Sequence, residues 1–476
     1  MIITLTGRLL QLVLGLLTVK LLTTLLEPAE MGSVALFSAA TSLFGLFLIN
    51  PVGMFINRRI HSWHDDRVLR PYFLLFVAYA AGVSALSIPA CLAALAATGF
   101  LADAGQFAVL VGAGVFFAAT NQAFIPALNM LGRPWSFVFL NIGSLLSSLI
   151  FATTLASRIA PHAESWILGI ILGQAVFALA AYHVLFVDHS PRPAPPMGYL
   201  TSLHLASIYR FSWPVAIAVG FHWLHMQGYR YMMADKVGIH ALGLFIAGYG
   251  VAAALTVAVE QVGANWFQPR LYRQSQGAAP AAQAKAWNDY VQLVLPLSLF
   301  TLSALIGGSD DLVNLLLGSA YHDTGNFLRW GAVCEWTRTL VGTMSLGAHL
   351  RMQTTLLILP NIVGAAITWI GLYVLLPEFG LVSAPLSMSL AGVAVALSLY
   401  LSLRRNGLTL QFHLRSLCFA VGMSLVMLVA FAHVRTRLGS SAFGTPLAAV
   451  ALLVTLWAPF ALFQVTRTLR LARPSR

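Results

Sequence analysis

Seven ionisable side chains fall where charge is hard to keep. Arg8, Lys20, Arg230, Arg329 and Arg338, together with Glu260 and Glu335, all lie inside long apolar stretches of the sequence. A charged group at the centre of a membrane-spanning helix costs roughly 2.5 to 3.5 kcal/mol on insertion scales, so such residues face a water-filled cavity, pair with one another or hold a ligand. Five cations against two acids predict a cavity of positive charge, and the planar fork of arginine matches phosphate oxygens. The chemistry this implies is recognition of an anionic, phosphate-bearing lipid inside the bilayer.

Position along each stretch orders the set by depth. Arg8 lies in the inner third of the first helix and Lys20 in its outer third; Arg230 is in the outer third of the seventh, Arg329 at the outer edge of the tenth, Glu335 and Arg338 near its middle, and Glu260 in the inner third of the eighth. Lys20 and Arg230, each on the first helix of its half at matching depth, are the hardest to dismiss as cavity residues, with Arg8 and Arg329 able instead to snorkel toward headgroups. Glu335 and Arg338 are three apart on one helical face and can also neutralise each other. Glu260 and Glu335 are candidates for coupling to a proton or sodium ion. His222 and His225, on one face of the seventh stretch with Tyr229, can titrate, bind a sugar or serve as uncharged lining.

Other chemistries find no support. There is no phosphate-binding loop, GxSxG elbow or HExxH pair, so hydrolytic catalysis is not expected and neither is a cofactor. His61, His64, Asp65 and Asp66 have metal-like residue types but read as a solvated inner loop, and no metal site is expected. Cys91, Cys334 and Cys418 sit in apolar runs without a CxxC spacing, so no disulfide framework follows.

The elements that must carry these residues are set by composition. Of 476 residues, 59% are hydrophobic and 9% charged, where a soluble chain carries about 25% charged residues. Breaking the chain at charge clusters and Pro/Gly turns yields fourteen stretches long enough to span a bilayer, from 4–26 to 446–466, with twelve as the count if the last pair is peripheral. The first stretch, lacking a small-residue cleavage site before Glu27-Pro28-Ala29-Glu30, reads as a retained helix. The expected fold class is an all-α polytopic membrane protein.

The formal charge of +12 has a topological meaning. With both termini inside, eighteen of the Lys and Arg residues fall in inner segments and four in outer ones, the pattern that insertion retains on the cytoplasmic side. Most of the basicity therefore reports orientation, and no nucleic-acid partner is expected. The Pro-rich stretch 188–210 reads as a cytoplasmic linker between an N-lobe (1–187) and a C-lobe (211–403), followed by two further helices and a basic tail (404–476). The halves open alike: Lys20 precedes Gly32 by twelve residues and Arg230 precedes Gly243 by thirteen, each glycine starting a helix rich in small residues, which suggests an internal repeat. Pro51, Pro89, Pro126, Pro214 and Pro296 fall inside spans, where they can kink the helix.

Several short segments resemble one family. Arg8…Lys20-Leu21-Leu22, the turn Leu25-Leu26-Glu27-Pro28-Ala29-Glu30-Met31-Gly32, Asn50-Pro51-Val52-Gly53-Met54-Phe55-Ile56-Asn57-Arg58, Leu315-Leu316-Leu317-Gly318-Ser319-Ala320-Tyr321 and Leu376-Pro377-Glu378-Phe379-Gly380-Leu381 resemble the polysaccharide-transporter branch of the multidrug/oligosaccharidyl-lipid/polysaccharide (MOP) exporter superfamily. The resemblance implies a flippase that moves an undecaprenyl-pyrophosphate-linked oligosaccharide from the inner to the outer leaflet of the bacterial cytoplasmic membrane by alternating access, serving O-antigen or exopolysaccharide synthesis. It implies two six-helix lobes related by a pseudo-twofold axis, a cationic cavity at Lys20, Arg230 and Arg338, and a polysaccharide polymerase and glycosyltransferases as candidate partners. A drug/cation antiporter or a lipid II flippase shares the architecture and stands as the alternative. A membrane glycosyltransferase or polymerase is disfavoured, because the longest outer segment, Ser309 to Phe327, is short.

Overall fold

The structure is a computed structural model of the chain, described here over residues 2–98, 104–186, 202–275, 279–351, 353–411, 414–438, 451, 453–457, 459–460 and 463. Among the described residues the regular elements are all helical. They are α1 (Ile2–Leu25), α2 (Pro28–Phe44), α3 (Asn50–Asp65), α4 (Leu69–Thr98), α5 (Ala104–Met130), α6 (Pro134–Arg158), α7 (Ala163–Phe186), α8 (Ser202–Met226) and α9 (Tyr229–Lys236). Then follow α10 (Ile239–Ser275), α11 (Pro280–Gly307), α12 (Ser309–Leu316), α13 (Gly325–Leu350), α14 (Ile358–Phe379), α15 (Ser383–Arg405) and α16 (Leu414–Leu438).

Among the described residues, 9 helical stretches are long and apolar enough to cross a bilayer, one of them, Thr355–Arg405, folding back at Gly380 as α14 and α15. The expected all-α polytopic architecture is thus present, while the expected count of fourteen is not reached by this criterion. Part of the shortfall has a physical reason: α13 carries Arg329, Glu335 and Arg338, and only Leu10–Leu25 of α1 registers, as a shorter apolar helix. More than half of the last expected span, 446–466, lies outside the described residues, as does most of the Pro-rich stretch 188–210.

The chain forms two compact units, Met1–Gly243 and Leu244–Arg476. In the first, α8 and α9 pack with the helices that precede the Pro-rich stretch. Trp223 donates through Nε1 to the Ala39 carbonyl at 3.1 Å and to Ser42 Oγ at 3.0 Å, and Tyr231 donates its hydroxyl to the Leu36 carbonyl. The expected continuous span 211–233 is broken at Gln227–Gly228, where both backbone N–H groups converge on the Trp223 carbonyl and close α8, glycine being a poor helix interior residue. Arg230 therefore sits on the short helix α9.

Pro51 acts as expected, through its missing N–H and its clash with the preceding turn. The ladder between α2 and α3 widens into a π-helical turn at Gly45–Ile49, immediately before it. Pro89, Pro126 and Pro296 lie within α4, α5 and α11. The Glu27-Pro28-Ala29-Glu30 turn has a structural use: Pro28 starts α2, and the Glu30 carboxylate accepts the N–H of Ala163 at 2.6 Å, placing negative charge at the N-terminus of α7. At the other end of α7, Arg133 Nη1 donates to the Val184 carbonyl at 3.1 Å, a cation on the last turn.

The second unit repeats that last device. Arg351, in the turn after α13, donates to the carbonyls of Asn406 and Gly407 at the end of α15, as Arg133, in the turn after α5, does for α7. Asn288 fastens the same corner, donating to the Thr409 carbonyl and accepting the Gln411 N–H. The unit's core gathers around α13, with Trp287, Val291, Val341, Met344, Val395 and Leu399 packed together. α14 turns into α15 at Gly380, whose φ of 50° with ψ of −129° is open only to glycine.

Candidate functional site

The second unit holds a charged cluster in a cavity. α13 presents Glu335, Arg338, Thr339, Gly342 and Thr343 at helical spacing along one face, and α10 presents Tyr249, Thr256 and Glu260 opposite. Arg338 bridges the two helices: Nε donates to Glu335 Oε2 at 2.7 Å and Nη2 to Glu260 Oε2 at 2.8 Å. The remaining carboxylate oxygens are also bonded. Tyr249 donates its hydroxyl to Glu335 Oε1 at 2.6 Å, and Thr339 Oγ1 lies 2.7 Å from Glu260 Oε1 and 2.9 Å from the Glu335 carbonyl. Close approach of the helices is made by Gly331, where an added Cβ would crowd the backbone of Tyr249.

Burial differs within the cluster. The Glu335 side chain is 3% exposed, Glu260 29% and Arg338 27%. Glu335 is thus the anchored carboxylate and Glu260 the one at the cavity wall. The cavity encloses about 790 Å³ and is lined by Glu260, Arg338, Thr339, Tyr290, Ser298 and His349 among others. With both carboxyls ionised the cluster is formally negative, two acids to one guanidinium. The expected pairing of Glu335 with Arg338 is therefore present but extended, Glu260 joining from another helix.

The other predicted residues are distributed. Arg230 is 9% exposed, donates through Nη1 to the Ala35 carbonyl at 3.1 Å, and no carboxylate pairs with it among the described residues. Its buried Nε meets no acceptor. Lys20 is half-buried on α1, where its carbonyl accepts from Thr23 and Thr24. Arg8 lies on α1, its side chain outside the described residues. Arg329 is engaged at the α12–α13 corner: Nη2 lies 2.8 and 2.7 Å from the two Asp310 carboxylate oxygens, and Nε donates to Ser309 Oγ. That geometry makes Arg329 a corner fastener, with side chains 37% and 41% exposed across the pair. Arg329→Gln is expected to lower stability by about 1 kcal/mol or less, since partly exposed pairs contribute little; thermal unfolding of the purified protein measures it.

His222 and His225 stand on the last turns of α8 with ring centroids 6.5 Å apart, His225 being buried. Among the described residues no group of three or more His, Cys, Asp or Glu could hold a metal ion, and Cys91, Cys334 and Cys418 are free thiols. Sequence reasoning missed Tyr249 and Thr339. The stripe Glu335, Arg338, Thr339, Gly342, Thr343 was its available signal, since spacings of three, four and seven place these groups on one helical face.

No family model matches the chain, and no curated protein matches it. Solved structures do. A structure of the lipid II flippase MurJ in an inward closed conformation aligns with a TM-score of 0.69 at 13% identity, covering 97% of this chain and 97% of that one. The chain has the fold of the MOP exporters. An inward-facing multidrug resistance MATE family transporter of the MOP superfamily aligns with a TM-score of 0.60 at 14% identity, over 84% of this chain and 94% of its own. A MOP superfamily transporter from Pyrococcus furiosus aligns with a TM-score of 0.58 at 13% identity, over 85% and 94%.

Proposed function

We propose that this protein is a flippase for a lipid-linked oligosaccharide carrying an anionic diphosphate head, of the undecaprenyl-pyrophosphate type, in the bacterial cytoplasmic membrane with both termini inside. The observation that carries the reading is the end-to-end likeness to the MurJ fold, 97% of each chain, where the multidrug transporter accounts for 84% of this one.

The charges support an anionic head. Arg230 is a buried cation without a carboxylate partner among the described residues, its Nε open to an acceptor. Arg338 is held by two carboxylates, of which Glu260 is the more exposed. A diphosphate oxygen would reach Arg338 by displacing Glu260, and the displaced carboxylate would take up a proton or a sodium ion. Head binding and cation uptake would then be one exchange. Lys20 and Arg8 are further candidate cations of the first unit for the same head. For the tail, an apolar groove of about 540 Å³ in the first unit, bordered by Phe47, Trp63, Tyr79 and Trp213, has the chemistry a prenyl chain would take.

A cation antiporter is the second reading, favoured by the formally negative cluster at Glu260 and Glu335. A deletion strain separates the two. Under the flippase reading the complete oligosaccharide-diphosphate lipid accumulates on the inner leaflet and surface polymer is lost. The wild-type chain should restore surface polymer, while Arg230→Gln, present at wild-type level, should not. An unchanged lipid pool together with raised sensitivity to cationic drugs would overturn it in favour of the antiporter.

A further inference from the structure

The first unit holds a second polar cavity whose described lining carries no charged residue. It measures about 290 Å³ and is walled by α1, α5, α6 and α7 near the middle of their lengths. Asn121, Gln122, Asn141, Gln174, Ser144 and Trp166 line it, and among the described residues no Asp, Glu, Lys, Arg or His does. Its back wall is tight: a Cβ on Gly169 would overlap the backbone of Ala152, and one on Gly173 that of Ser148, so α6 and α7 pack at glycine distance.

The hydrogen bonds around the cavity are unevenly shared. Asn121 Nδ2 donates to Ser144 Oγ at 3.0 Å and to the Gln174 carbonyl at 3.3 Å. The side-chain amides of Gln122, Asn141 and Gln174 meet no protein partner among the described residues. Polar groups at this depth in a bilayer need partners, because lipid supplies none. Three amides with both donors and acceptors, facing one space, require either water or a ligand that is itself donor and acceptor at several points.

The chemistry excludes most ligands. Among the described lining residues a cation would find no carboxylate and a phosphate no guanidinium or ammonium. Neutral amides beside an indole instead match a neutral, multiply hydroxylated ring. The volume fits: at about 30 Å³ per water the cavity holds roughly ten waters, or one sugar ring with a few. We infer that this cavity is a binding site for a single neutral sugar residue, recognised by Asn121, Gln122, Asn141 and Gln174 with Trp166 as the apolar wall. The ligand class stands on the cavity alone; its assignment to a sugar of the transported lipid rests on the flippase reading.

The test uses the purified full-length chain in lipid nanodiscs and follows tryptophan fluorescence on titration with free glucose, galactose and N-acetylglucosamine, against sodium chloride and sodium diphosphate. A saturable response to at least one sugar is expected, weakened about tenfold in Asn141→Leu and in Gln174→Leu, the loss of about one good neutral hydrogen bond. Both variants should keep the wild-type melting temperature, because among the described residues the two amides meet no protein partner. Asn141→Ser and Gln174→Ser shorten the amides without adding apolar bulk and should weaken binding likewise.

No saturable response to any sugar overturns the inference, as does wild-type affinity in the serine variants. An amide-dependent response to sodium chloride overturns it in favour of an ion site. Transport distinguishes the two proposals: amide-dependent sugar binding in a chain that moves no polyprenyl diphosphate, glycosylated or bare, keeps this site and removes the flippase reading. Loss of glycosylated-lipid transport in the serine variants, with bare polyprenyl diphosphate still moved, supports both.

Discussion

Arg338→Gln is expected to lower the stability of the folded protein by about 3 to 5 kcal/mol, the loss seen when one partner is removed from a buried ion pair. The size comes from what the substitution leaves behind. Glu335, 3% exposed, would keep a hydrogen bond from Tyr249 but lose its cation, and Glu260 would face it across the same gap. Two carboxylates would then share an apolar surrounding with no positive charge between them. Compensation tests the cause: Glu335→Gln together with Glu260→Gln in the Arg338→Gln background removes both charges and should recover most of the stability, since neutral groups of the same shape tolerate each other. Thermal unfolding in detergent or nanodiscs reads the three variants. Transport separates structure from function, because the refolded triple variant should remain inactive if Arg338 meets the diphosphate. A single variant as stable as the wild type would show that the pairs contribute nothing to the fold.

Substitution of Gly243 is expected to be at least as damaging, for a steric reason. A Cβ there would overlap the Pro28 carbonyl oxygen, and a Cβ on Gly32 would overlap the carbonyl oxygen of Ile239. Both obstacles are backbone at helix starts, which side-chain rotation cannot relieve. Overpacking typically costs about 1 to 3 kcal/mol and more where nothing can shift, so Gly243→Val should reach or exceed the top of that range, with Gly32→Ala close behind. Gly53→Ala is the control: an added Cβ there has nothing within 4 Å, and in a helix interior it should gain about 0.5 to 1 kcal/mol. Melting temperatures of the three variants give the order directly. Tolerance of valine at Gly243 would refute the close approach.

The same two glycines bear on the repeat. Sequence spacing pairs Lys20 and Gly32 with Arg230 and Gly243, and in the structure the paired glycines open α2 and the start of α10 against each other's segments, Gly243 on Pro28 and Gly32 on Ile239. A clearer sign of repetition was not legible. Arg133 and Arg351 each follow the helix before a helical pair and close the end of the second helix of that pair, yet neither is distinguished in sequence from any other loop arginine. Their topological bias was visible; their acceptors were not.

Charge shows the same division more sharply. Composition, hydropathy and the Lys/Arg bias by themselves determined an all-α polytopic membrane protein, and they singled out the seven intramembrane charges, because burying charge in lipid is so unfavourable that each instance stands out. One ion pair, Glu335 with Arg338, was readable because its members share a helix and local spacing sets their distance. Partners on other helices were beyond reach. Glu260, 78 residues before Arg338 in sequence, completes the cluster, giving it two acids to one guanidinium; Asp310 claims Arg329, and Ala35 receives Arg230. Sequence patterns report how a residue relates to its own helix and to the solvent around it. Which side chains meet across helices depends on crossing positions fixed by close packing at glycines such as Gly32, Gly169, Gly173 and Gly331, and only the tertiary structure decides that.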